Sequence, residues 1–212
     1  MIDLDGVIRH FGPRVVESLK SDAEGDAAAI CAMRSTLVSG QPAIDRVAEI
    51  RRWLTTYRVF QGLDGRTRTK ITEAILRWCD SQEEQADLEP FDALVGAHEK
   101  LMEECCDAHG SARDFTSLCS KALWLRYPDV VPLFDSFAQR ALWVISKMER
   151  DVALVDGEKS QYRKFARVWK ALYERYTPAI AAIDTKGYPY RVRVFDRILW
   201  DIGRPEYAPP TA

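Results

Sequence analysis

The chain has 212 residues, of which 47% are apolar and 29% charged, so a core can be buried and wholesale disorder is excluded. A formal charge of −2 excludes a uniformly basic nucleic-acid coat. No apolar run reaches the length needed to span a bilayer.

Taken in chain order, the first predicted element is a short helix over 25–38. A longer helix follows over 42–60, where Val47, Ile50, Leu54 and Tyr57 recur at helical spacing with Arg46, Glu49 and Arg52 outside the stripe. Pro42 suits a first-turn position there. Residues 61–66 read as a connector, and 69–79 as a helix with Ile71, Ile75, Trp78 and Cys79 on one face. Short helices are expected over 89–107 and 115–126. Helix 137–148 carries Phe137, Ala141, Val144, Ile145 and Met148 inward, and 159–176 does so with Tyr162, Phe165, Trp169, Leu172 and Tyr176. A closing helix over 191–203 presents Phe195, Ile198 and Leu199, with Gly203 as its C-cap. Connectors are predicted at 151–158 and 184–190, with a frayed tail over 206–212.

No segment alternates apolar and polar residues as a half-buried strand would, and no fixed-period repeat is visible. The expected architecture is therefore all-α, with seven to nine helices in one domain over 1–212. Its N-terminal helical part runs over 1–109 and its functional part over 110–205. The five cysteines (Cys31, Cys79, Cys105, Cys106, Cys119) are odd in number and lack C-x-x-C spacing. With no leader-like pattern at the start, a cytoplasmic setting with reduced thiols is expected. His10, His98 and His109 are scattered, so neither a metal nor a cofactor is predicted.

Charge is uneven along the chain. Residues 80–107 hold ten acids and one Lys, whereas 157–212 hold eleven Lys/Arg and six acids, a local sum of +5. Arg163, Arg167 and Lys170 share the helix face opposite the aromatic stripe. Arg66, Arg68 and Lys70 cluster at a helix start. Both groups are candidate contacts to phosphates, although a solvated helix face is the more ordinary reading of such charges.

The segment 114–142 carries the chemistry. Lys121 lies in an apolar run formed by Leu118, Cys119, Ala122, Leu123, Trp124 and Leu125. Such a lysine either snorkels to water or stands at a cavity. Pro128 ends its helix, and Asp135 follows where the next N-cap belongs. Alone, that aspartate is an ordinary cap. Together, the two set an amine and a carboxylate on neighbouring helix ends.

These residues resemble a family. Ser120-Lys121, Pro128 and Val131-Pro132-Leu133-Phe134-Asp135-Ser136 are similar to the S-K…P…F-P-x-x-D-S core of bacterial proteins like 8-oxoguanine DNA glycosylase. Those are divergent members of the helix–hairpin–helix DNA glycosylase superfamily. Phe195-Asp196-Arg197-Ile198-Leu199-Trp200 resembles the same group's terminal D-x-x-L-W helix, while residues 1–110 match only as generic helix. The superfamily's glycine-rich hairpin is missing from 112–117, with Gly110 the nearest glycine.

The resemblance implies a compact glycosylase-like fold with a degenerate helix–hairpin–helix around 110–142. It makes Lys121 the nucleophile and Asp135 its electrostatic partner, with Ser120 at the DNA and Phe137, Asp196 and Trp200 as base-pocket candidates. The chemistry is reasonable. Cleaving an N-glycosidic bond builds positive charge on the sugar, which a carboxylate stabilises, and apolar surroundings favour the neutral amine that attack requires. Reaching the sugar of a duplex base means flipping the nucleotide out. The implied partner is DNA, either damaged DNA in repair or phage DNA with modified bases in defence, with no membrane and no obligate protein partner. The alternative is a non-catalytic helical module that binds DNA or a protein.

Overall fold

The computed structural model describes residues 4–34, 45–82, 88, 90–148 and 160–205. Among them are nine α-helices and no strand, so the fold is all-α. Pro42 and the predicted connector 151–158 and tail 206–212 lie outside the described residues. No helix is long and apolar enough to cross a membrane.

The helices are α1 (Leu4–Lys20), α2 (Ala23–Arg34), α3 (Arg46–Thr56), α4 (Gly65–Ser81), α5 (Phe91–His109), α6 (Thr116–Arg126), α7 (Ser136–Met148), α8 (Gln161–Ala181) and α9 (Arg191–Gly203). Eight of these fall on the predicted segments, and α1 has no predicted counterpart. Its apolar residues Leu4, Val7, Ile8, Val15 and Leu19 keep helical spacing, but Gly12 and Pro13 interrupt them. Gly12 is buried because a Cβ there would lie 2.8 Å from the Ile183 side chain.

Three boundaries move for local reasons. α3 stops at Tyr57, and Arg58 then takes a left-handed conformation with φ 55°. α4 begins inside the predicted connector because the Asp64 side chain accepts from the Thr67 N–H at 2.8 Å and caps it. α8 runs on through Pro178 to Ala181. Gly203 is the last residue of α9 rather than its cap, a place taken by Arg204.

The chain forms two compact units, Asp22–Val131 and Met1–Ser21 with Pro132–Ala212. The boundary read from sequence at 109/110 falls inside the first, between α5 and α6. In the Asp22–Val131 unit, α6 packs on α2, α3 and α5. A helix covered on several sides must be apolar all round, and α6 is buried at every residue from Leu118 to Leu125. In the other unit α9 has that place, packing on α1, α7 and α8. Its buried residues run from Val192 to Asp196 and include Ile198 and Leu199. Each central helix thus carries buried charge that the core must accommodate: Lys121 in α6, Arg193 and Asp196 in α9.

Candidate functional site

Lys121 does not snorkel. Its side chain stays inside the Asp22–Val131 unit with the residue 3% exposed. The ammonium donates to Ser117 Oγ one turn earlier, at 2.9 Å, and lies 5.8 Å from the centre of the Tyr57 ring. Tyr57 ends α3 and packs on Trp53 at 4.3 Å, and Trp53 stacks on Trp124 of α6 at 5.6 Å and 10°. The Trp53 indole N–H in turn donates to buried Asp26 at 2.8 Å. An aromatic wall therefore runs from Asp26 to the lysine, and Ser117 and Tyr57, both beside its amine, are half-buried.

The turn before α6 explains its entry. Gly110 (φ 83°) closes α5, its N–H donating to the Cys106 and Asp107 carbonyls. Asp114 then accepts from the Thr116 N–H at 2.9 Å, and the buried His98 ring bonds the Thr116 carbonyl at 3.1 Å. Burial lowers the His98 pKa to about 4 against the hydrogen bond to Thr116 and the charge of Asp114, so the ring is neutral and donates from Nε2. A carboxylate already occupies the start of α6, where a glycine-rich hairpin would offer amides to a phosphate. All five thiols are outside disulfides; burial pushes Cys79 up to about 12 and Cys119 well above its usual value, so these two are poor nucleophiles.

Asp135 belongs to the other unit. It caps α7, Oδ1 accepting from the Phe137 N–H at 2.8 Å and its carbonyl accepting from the Gln139 N–H. Oδ2 has no hydrogen-bond partner among the described residues, and the side chain is half-buried. The segment leading to it is pinned from two helices. Tyr162 of α8 donates to the Pro132 carbonyl at 3.2 Å, and Asp196 of α9 accepts from the Leu133 N–H at 3.0 Å.

Several expected contacts fall elsewhere. Ser120 is fully buried and donates to the Ser117 carbonyl, so it has no surface to offer DNA. Asp196, expected at a base pocket, is 3% exposed with Oδ1 on the Trp169 indole N–H at 2.7 Å and Oδ2 on Leu133. Both oxygens serve the core. Arg68 is half-buried and donates to the Leu63 carbonyl, leaving Arg66 and Lys70 as the exposed cations of that cluster. Arg163, Arg167 and Lys170 lie half-buried along α8, Lys170 at 3.9 Å from Glu174. Phe137 and Trp200 do come together, edge to face at 5.6 Å.

The sequence reading missed Ser117 and Tyr57. Ser117 precedes Lys121 by four residues, the spacing that puts two side chains on one helix face. Tyr57 sits on the apolar stripe of α3 and reads as core.

No protein-family model, curated protein or solved structure matches the chain.

Proposed function

We propose that the protein is a DNA glycosylase that excises a modified base, with Lys121 as nucleophile and Asp135 as the charge that stabilises the developing sugar cation. The observation that carries this reading is the burial of the Lys121 amine at 3% exposure beside a hydroxyl and an aromatic face. Retaining an amine in such a core costs stability, and sites of that kind are concentrated where chemistry is done. The uncommitted oxygen of Asp135, at the end of a segment anchored on both sides, supports the second role.

In the reaction, the neutral amine attacks C1′ of the deoxyribose. The C1′–N bond breaks with its electron pair leaving on the base, which takes up a proton. Ring opening then gives a Schiff base, from which β-elimination can cut the strand or water can release an abasic site. A protonated Lys121 would leave the monofunctional route, in which Asp135 orients a water.

The test is incubation with duplex DNA carrying oxidised or otherwise modified bases, in the presence of borohydride. Wild type forms a trapped covalent adduct, and Lys121→Gln forms none. Asp135→Asn lowers base release at least 100-fold, the loss typical of removing a group aimed at developing charge. A normal gel shift with neither adduct nor released base would instead identify a binding module.

A further inference from the structure

The outer face of α7 carries a stripe that packing does not account for. Ser136, Arg140, Trp143 and Lys147 recur at steps of four, three and four residues, and all are exposed. The opposite face belongs to the core: Ala138, Ala141, Leu142 and Ile145 are buried, and α7 packs on α8 and α9. Among the described residues Trp143 is the one exposed large hydrophobic side chain, at 49%. Lys147, one turn on, holds its ammonium 3.6 Å from the centre of the Trp143 ring. Neither Lys147 nor Arg140, one turn back, makes an ion pair among the described residues. α7 contains no Asp or Glu. α8, joined to it where the Gln161 amide donates to Gln139 at 3.3 Å, contains none before Glu174.

We propose that this stripe is a stacking platform for single-stranded DNA. One unpaired base lies on the Trp143 indole, and Arg140 and Lys147 take phosphates on either side of it. A single strand alternates π faces with anions, and the stripe sets an indole between two cations. Those cations lie about 10 Å apart along the helix axis, at 1.5 Å per residue, so each serves its own phosphate. With Lys147 over the ring, the residue is still half exposed, which leaves indole surface for a base. Stacking of this kind accepts any base, because every base has a π face. An anionic membrane is a poorer match, since Ala141, Leu142 and Ile145 face the core and leave one indole to insert. An acidic peptide would satisfy the cations and leave the indole unused. That the strand is DNA rests on the substrate proposed above, to which the platform adds a site for an unpaired strand.

The experiment is anisotropy of a labelled oligo(dT) with the full chain and with Trp143→Ala, Trp143→Phe and the double variant Arg140→Gln/Lys147→Gln. Trp143→Ala binds about 5-fold more weakly or worse, the loss expected for one stacked base, and keeps the wild-type salt slope. Trp143→Phe, which retains a ring, binds at an intermediate level. The double variant flattens the plot of log K against log salt by about 1.4 for two phosphates, at about 0.7 each on a single strand. An abasic oligomer with the same phosphates binds wild type no better than it binds Trp143→Ala. Unchanged affinity of Trp143→Ala for oligo(dT) overturns the platform. So does pelleting with phosphatidylserine vesicles that needs Trp143 while oligo(dT) binding does not, which would mark a membrane surface. Tighter binding of oligo(rU) through Trp143 overturns the choice of DNA. Where Trp143→Ala loses helical signal, the slope of the double variant decides. If wild type forms no borohydride adduct and releases no base yet binds oligo(dT) through Trp143, the platform stands and the glycosylase reading falls. If wild type forms the adduct and Trp143→Ala binds oligo(dT) as wild type does, the reading stands and the platform falls.

Discussion

Gly203 shows how one missing methyl group can set a helix pair. The 1.8 Å separation that a Cβ would have from the Phe137 carbonyl is too short for any relaxation of a side chain to relieve, since both partners are backbone. Gly203→Ala must therefore separate α7 from α9, and a loss of about 3 kcal/mol is expected, at the upper end of overpacking costs. Gly96 in α5 has nothing within 4 Å of the same construction. Gly96→Ala removes a helix-interior glycine without a clash and gains up to about 1 kcal/mol. Urea denaturation of both variants checks the pair, and equal shifts would refute the packing argument. The sequence showed that Gly203 ended a helix, but a C-cap and a packing glycine look alike in one dimension. Lys121 is similar: its apolar neighbours were legible, whereas its hydroxyl and ring partners depend on α3 meeting α6, a contact that helical periodicity does not encode.

Helices with a clean stripe, such as α8 and α9, were readable because one face is buried and the other is wet. α1 was not, because Gly12 and Pro13 read as punctuation, although exposed Pro13 and buried Gly12 both fit the helix once α1 rests on Ile183. The turn joining α5 to α6 is held by a ring that must stay neutral, and this makes the helix pair sensitive to acid. Unfolded, His98 takes up a proton near its ordinary value of 6.5; folded, it does so only near 4. Between those values the unfolded chain binds more protons. His98 thus contributes stability that is full above pH 6.5 and is lost as the pH falls toward 4. The span corresponds to about 3 kcal/mol. His98→Gln keeps an N–H donor for the Thr116 carbonyl and removes the titration. Denaturant midpoints at pH 7.5 and 4.5 should fall less for the variant than for wild type. An identical fall in both proteins would show that other groups carry the acid sensitivity.

The chain passes between its two units twice, near residues 21 and 131, so the Asp22–Val131 unit is one uninterrupted stretch while the other is assembled from both chain ends. That asymmetry has consequences for folding. α6 finds α2, α3 and α5 within its own stretch, whereas α9 needs α1, which is separated from it by the whole other unit. Residues 22–131 expressed alone should therefore give a helical protein with a cooperative melt. Residues 132–212 alone should not, because the faces of α8 and α9 that pack on α1 would be bare. Joining 1–21 to 132–212 through a short Gly/Ser linker should restore the melt. Far-UV circular dichroism on the three polypeptides reads this directly, and a cooperative melt of 132–212 without α1 would refute it. The same experiment bears on chemistry. The 22–131 piece keeps Lys121 with Ser117 and Tyr57 but lacks Asp135. If catalysis needs both the amine and the carboxylate, this folded piece will release no base, however well it binds DNA. Base release from it at the wild-type rate would leave Asp135 with only its role as the cap of α7.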